Sequence, residues 1–255
     1  MVEEQKIELD IQQVFYELDN QKKKFPLLKT LLLHLKPASA LIFCNTKEQT
    51  TQLATMLADE GFSVTALNGD MEQAERDVAV IRFKNKSCSI LVATDVAARG
   101  LDVKELPAVI NFDLAFESDV HVHRIGRTGR AGSKGQAISL TVPADAERLC
   151  AIEDALGRPV QWGDVGELKH ENGKIVYPEM VTLCLSAGKK DKIRPGDILG
   201  ALTKDAGLAG DAIGKIDISP LYSYVAVLRQ HAETALQHFK NGKLKGRKVN
   251  ARKLK

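Results

Sequence analysis

Apolar and polar side chains change their spacing repeatedly along the 255 residues, and the changes mark out strands and helices in alternation. Residues 7–16 partly alternate and predict an entry strand. From Lys24 to Leu35, the residues Phe25, Leu28, Leu31, Leu32 and Leu35 form an apolar stripe at helical spacing, with Pro26 suited to the first turn. Ser39 to Cys44 predicts a strand, Thr46 an N-cap for a helix reaching Glu60, and Gly61 its stop. Further strands are predicted at Val64 to Leu67, Ile90 to Ala93, Val109 to Asn111 and Gln136 to Thr141. Helices fall at Met71 to Phe83, around Ser118 to Ile125, and at Ala144 to Leu156. This strand-helix alternation with short links argues for a parallel sheet covered on both faces.

Past Gly157 the pattern lapses into a polar stretch punctuated by Gly163, Gly166 and Asn172-Gly173, with Trp162 expected to pack on a neighbour at its edge. A second pattern follows: strand Val181 to Ser186, helix Arg194 to Asp205 opened by Pro195, strands Ile213 to Ile218 and Tyr222 to Leu228, helix Ala232 to Lys240, strand Lys248 to Leu254. The expected domains are therefore residues 1–157, a linker at 158–178, and a small α+β domain of order βαββαβ at 179–255.

Candidate chemistry gathers where strands end. Thr94, Asp95, Arg99 and Asp102 follow the apolar run Cys88 to Val92, and ligands of open parallel sheets bind beyond the carboxyl ends of strands. In His123 to Arg130, HRIGRTGR, Arg127 and Arg130 stand three apart, so two guanidinium forks can grip phosphate, and Gly126 and Gly129 permit close approach. A solvated basic helix end is the plain alternative.

With these residues in view, ATDVAARGLD at 93–102 and HRIGRTGR at 123–130 resemble motifs V and VI of DEAD-box RNA helicases. LIFCNT at 41–46 and QAER at 73–76 resemble motifs IV and IVa. The resemblance implies a RecA-like sheet with helices on both faces, forming one wall of a cleft that binds ATP and single-stranded RNA. Arg127 and Arg130 would reach the γ-phosphate and Asp102 the ribose, with Gly100 in the same nucleotide-side segment. His123 and Arg99 would couple the nucleotide to inter-lobe contacts, His123 otherwise being a structural histidine. RNA would meet Asn45, Thr46, Gly69, Asp70, Gln73, Arg76 and Thr94, although Arg76 can equally pair with Glu72 or Asp77 at the surface.

The chain contains neither G-x-x-x-x-G-K-[ST] nor Asp-Glu-Ala-Asp. The first RecA-like lobe is therefore expected to be missing, and with it the residues that hold Mg²⁺ beside ATP. No metal ligands are expected in this stretch, which alone should not hydrolyse ATP.

Composition narrows the picture. The longest apolar runs fall short of the roughly 20 residues a spanning helix needs, so no membrane role and a cytoplasmic location are expected. Cys44, Cys88, Cys150 and Cys184 are widely spaced and read as buried free thiols. The net charge of +3 conceals a division: residues 180–255 hold 15 Lys+Arg against 6 Asp+Glu, while residues 1–179 hold 21 against 27. Such a basic end suits a polyanion, a disordered solubilising tail being the alternative.

The second pattern resembles an RNA-recognition motif (RRM), whose third strand carries stacking aromatics. Tyr222 and Tyr224 match that pair and would share one face, unless they are ordinary packing residues. The leading basic residue, the glycine and the first-strand aromatic are absent. Contact with RNA would be shared with Lys189, Lys190, Lys192, Arg229, Arg247, Lys248 and Arg252. A helicase lobe carrying so basic an appendage is most similar to bacterial DbpA-like proteins, whose extra domain recognises a hairpin of large-subunit ribosomal RNA. The resemblance implies ATP with Mg²⁺, an RNA partner, a role in ribosome biogenesis and a monomer. A non-catalytic RNA-binding protein using the lobe as scaffold, or a DNA helicase, are the rival readings.

Overall fold

The computed structural model describes residues 11–101, 103, 105–129, 135–168 and 174–254. These form two compact units, one of residues up to 76 with 89–176 and one of residues 77–88 with 177 onward.

The first unit carries a parallel sheet in the order β1-β6-β5-β2-β4-β3. Its strands are β1 (Ile11–Glu17), β2 (Ala40–Phe43), β3 (Val64–Leu67), β4 (Ile90–Ala93), β5 (Ala108–Asn111) and β6 (Gly135–Thr141). Every residue of β2, β4 and β5 is buried, as unbroken apolar strands must be when helices cover both faces. Helices α1 (Lys24–Leu35), α2 (Lys47–Asp59), α3 (Gln73–Lys84), α5 (Ser118–Ile125) and α6 (Ala146–Leu156) follow the sequence pattern within two residues at each end. Leu28, Leu31 and Leu32 of α1 close the core against Ile42, Val92, Ile110 and Ile138.

One helix escaped the pattern. Thr94 caps a single turn, α4 (Asp95–Ala98), its Oγ1 accepting the backbone N–H of Ala97 at 3.4 Å. Too short to show periodicity, the turn is set by the cap. After α6, ended by the left-handed Gly157, the chain returns to β1: Phe15 donates its N–H to the Gln161 carbonyl at 2.8 Å, and Gly163 to that of Phe15 at 2.8 Å. Trp162 sets its ring edge-on to Phe15, with centroids 6.3 Å apart. Residues 161–163 thus extend the sheet of the first unit.

The second unit holds an antiparallel sheet in the order β10-β7-β9-β8, with strands β7 (Met180–Leu185), β8 (Ile213–Ile218), β9 (Ser223–Leu228) and β10 (Ala251–Lys253). One face packs on α7 (Pro195–Gly200) and α8 (Ala232–Asn241) through Leu183, Leu185, Val225, Val227, Ile198, Leu236 and Phe239. A five-residue π-helical stretch, Ala201–Asp205, continues α7.

The opposite face is buried as well. Thr182, Cys184, Tyr224 and Ala226 all lie there by strand alternation, and Ser87 Oγ stands 2.7 Å from Thr182 Oγ1. Tyr224 is only 7% exposed, so its ring is withdrawn from the stacking role expected of it. Tyr222 precedes β9 in a turn and is 45% exposed, so the two tyrosines are not a matched pair on one strand.

Candidate functional site

Adjacent strands of the first sheet end side by side, and the polar residues after them form a row. Asn45 follows β2, Thr94 follows β4, and Gly69 with Asp70 follow β3, while Asp113, after β5, is nearly buried and stands outside the row. Thr46 is spent on capping α2, accepting the Gln49 N–H at 3.2 Å, and Asp70 pairs with Lys47 at 2.6 Å. Gln73 opens α3 exposed and Arg76 lies half-buried one turn on.

Behind the row sits Arg124, which is 2% exposed. Its Nε and Nη2 grip Asp95 Oδ1 and Oδ2, each at 2.7 Å. Nη2 also donates to Asn45 Oδ1 at 2.9 Å, and Nη1 to Asn111 Oδ1 at 3.3 Å and the Asp113 carbonyl at 2.6 Å. A guanidinium has five N–H groups, and all five are used here. Its plane lies over the Phe43 ring, 4.9 Å from the centroid. Arg124 is therefore saturated. It joins the ends of three strands to α5 and has no donor left for a ligand.

Sequence reasoning passed over Arg124 because three arginines in one motif look alike. The usable signal was position: His121, Arg124 and Ile125 occupy one face of α5, and all three are buried.

Arg127 differs in kind. α5 ends at Ile125, and Arg127 lies in the turn that follows, its N–H bonded to the Arg124 carbonyl at 3.1 Å. One side-chain N–H donates to the Leu101 carbonyl at 2.8 Å, leaving the rest of the fork for a ligand. Arg127, His123 and Arg99 line a recess of about 600 Å³ with Asp95, Ala98, Gly126 and Val122. Gly100, exposed with φ of 78°, lets the chain turn away after Arg99 where a Cβ would be strained. Asp102 and Arg130 lie outside the described residues. The recess is cationic, half-open and large enough for part of a nucleotide.

His121, next in sequence to the recess-lining Val122, is 1% exposed beside Phe15, and neither ring nitrogen finds a partner among the described residues. Burial, helped by the neighbouring Arg124 charge, pushes its pKa down to about 4. Burial also raises the Cys44 thiol well above its ordinary value, with Asp113 adding to the effect.

In the second unit the basic residues gather on loops. Lys189 and Lys190 donate their backbone N–H groups to the Ser219 and Pro220 carbonyls at 2.9 and 3.0 Å, which brings them beside Tyr222. Gly188 permits this approach, since a Cβ there would collide with the Ser219 carbonyl. Lys245 Nζ reaches the Lys192 carbonyl at 2.8 Å and Arg247 pairs with Asp191 at 2.8 Å, latching the 242–250 loop to the 188–194 loop. Among the described residues Lys189, Lys190, Lys243 and Lys248 form no ion pair, so their charge faces solvent. Arg252, exposed on β10, is paired in register with Cys184. Arg229 lies at the far end of β9, bonded to the Pro178 carbonyl at 2.8 Å, and is not part of this rim.

Residues 23–132 match the family model described as Helicase conserved C-terminal domain, and residues 182–253 that described as DbpA RNA binding domain. The chain is 47% identical over 247 residues to the ATP-dependent RNA helicase DbpA of Escherichia coli, covering 96% of this chain and 53% of that protein. It is 36% identical over 253 residues to the protein of the same name from Bacillus subtilis, with 91% and 53% covered. It thus spans about half the length of these curated relatives.

Among solved structures, E. coli DEAD-box protein SrmB, bound to regulator of ribonuclease activity A, matches with TM-score 0.59 and 36% identity over 66% of this chain and 97% of that one. The C-terminal domain of the DEAD-box protein Dbp5 matches with TM-score 0.56 and 32% identity, covering 60% and 90%.

Proposed function

Because this chain belongs to the DEAD-box family, as a DbpA-like helicase C-terminal lobe followed by an RNA-binding domain, we propose that it is the C-terminal half of an ATP-dependent RNA helicase. The carrying observation is the contrast between Arg124, fully used inside the lobe, and Arg127, whose fork faces a recess shared with Arg99 and His123. That recess is half of a nucleotide site. A first lobe would bring the phosphate-cradling loop and the carboxylates that hold Mg²⁺, for which no cluster of three or more His, Cys, Asp or Glu exists among the described residues. In the closed enzyme Arg127 and Arg130 take the γ-phosphate and Asp102 the ribose, while Arg99 and His123 face the first lobe.

RNA lies along the row at the strand ends. Asn45, Thr46, Gly69, Gln73, Arg76 and Thr94 offer amide, hydroxyl and guanidinium donors to phosphate and 2′-hydroxyl oxygens, and the Asp70 carboxylate accepts from a 2′-hydroxyl, giving grip without sequence. Selection of the transcript falls to the second unit, through its latched loops rather than its sheet face. Lys189, Lys190, Lys192, Arg247 and Lys248 supply charge and Tyr222 one stacking ring, with Arg252 beside them. The substrate is a structured RNA, a hairpin of large-subunit ribosomal RNA during ribosome assembly, and the enzyme works as a cytoplasmic monomer. Among the described residues no helix is long and apolar enough to cross a membrane.

The test joins this chain to the first lobe of a DEAD-box relative and measures ATP turnover with and without hairpin RNA. RNA-stimulated turnover that collapses in Arg127→Ala is expected. Turnover indifferent to RNA, or to that substitution, would refute the reading.

A further inference from the structure

Lys24 opens α1 yet is 1% exposed. Burying an ammonium costs several kcal/mol unless it is paired, and a leucine would hold α1 to the sheet without that cost. Its partners are two nearly buried carboxylates: Asp113 Oδ1 at 3.3 Å and Asp145 Oδ2 at 3.8 Å, with the Phe112 ring centroid 5.8 Å from Nζ. Asp145 has its own cation in Arg148 at 3.1 Å, so Lys24 is left to balance Asp113.

Asp113 in turn reaches both halves of the site. Its Oδ2 accepts the backbone N–H of Asn45 at 3.2 Å, and its Oδ1 the Gln49 side chain at 3.4 Å, which fixes the start of α2. Its main-chain carbonyl accepts Arg124 Nη1 at 2.6 Å, and Arg124 holds the Asn45 side chain from the other direction. Asn45 is thus gripped at its backbone by Asp113 and at its amide by Arg124. Only Arg124 belongs to the motif that faces the nucleotide.

We propose that Lys24 and Asp113 are positioning residues, a buried ion pair that sets the Asn45 backbone so that the RNA row and the nucleotide recess keep one spacing. The pair touches neither ligand. The idea rests on the RNA reading of Asn45, and the test separates the two.

In the complete enzyme carrying this chain, Asp113→Asn turns an amide toward Lys24 and takes the charged acceptor from Asn45. The RNA concentration for half-maximal ATP turnover should rise about tenfold, as for loss of a charge-assisted hydrogen bond, with turnover at saturating RNA essentially unchanged. Lys24→Met should act in the same direction. The double variant Lys24→Met/Asp113→Asn leaves no unpaired charge, so its melting temperature should return toward that of the parent while the RNA requirement stays raised. In this chain alone, the Asn45 amide should exchange hydrogen faster in all three variants.

Recovery of the RNA requirement along with stability, or an Asn45 amide as protected in Asp113→Asn as in the parent, would overturn the proposal. Asn45→Ala is the control. If it leaves the RNA requirement untouched, the RNA row itself is wrong and the proposal falls with it. If it raises that requirement while Asp113→Asn does not, only the positioning role fails.

Discussion

The two units place their cations in opposite ways. In the first, Arg124 and Lys24 are buried and paired, each bound to carboxylates that are themselves held. In the second, Lys189, Lys190, Lys243 and Lys248 stand in solvent on loops latched by Arg247 and Lys245. A buried, paired cation fixes geometry and adds nothing to ligand affinity. An exposed one is screened by salt and fixes little, yet it raises the affinity for a polyanion. On the proposed reading, chemistry that needs ångström placement uses the first kind and capture of an RNA the second.

The sharpest way to break this contrast is at Arg124. Arg124→Ala strips the half-buried Asp95 and the buried Asn111 of their shared donor and should lower stability by about 2–4 kcal/mol, read by denaturant unfolding of this chain. Arg127→Ala should leave unfolding nearly unmoved but cost a complete enzyme about 10³-fold in ATP turnover. If the two variants lose stability equally, the distinction between scaffold and finger is wrong.

His121 sharpens the same point through pH. Its folded pKa near 4 lies below the ordinary 6.5, so the neutral ring stabilises the fold fully above pH 6.5. As pH falls from 6.5 toward 4 the unfolded chain takes up a proton that the folded one refuses, and stability drops by up to about 3 kcal/mol. His121→Leu should flatten the part of that slope above pH 5, where carboxylates scarcely titrate. An unchanged slope would place the proton elsewhere.

Effects on the rim should be smaller and of another character. Tyr222→Ala should weaken RNA binding by about 1–3 kcal/mol, whereas Tyr224→Ala should act chiefly on stability, seen as a lower melting temperature. Replacing Lys189, Lys190 and Lys248 by glutamine should make log affinity fall less steeply with log salt, while binding at high salt changes little. A slope identical to that of the parent would remove these lysines from the interface.

How much of this was legible depended on whether a residue's role follows from its neighbours in sequence. Strands such as Ile90 to Ala93 and helices such as Lys24 to Leu35 are written in local periodicity, and the structure places both within the same residues. The recess was legible too, because Arg99, His123 and Arg127 belong to two compact motifs. Arg124 and Lys24 were not. Their partners lie 29 and 89 residues away, and nothing local tells a buried guanidinium from an exposed one. Tyr224 misled for the same reason: strand alternation gives its face correctly but says nothing of what covers that face.

The return of residues 161–163 to Phe15 has a practical bearing on how the lobe can be divided. Those residues occupy main-chain groups of the outermost strand that would otherwise stand open to any extended peptide. A version trimmed at the glycine that ends α6 would keep α1 to α6 and lose that selvage, with Val160 and Leu168 beside it. It should fold and then self-associate, strand against strand, at concentrations where the longer version stays dispersed.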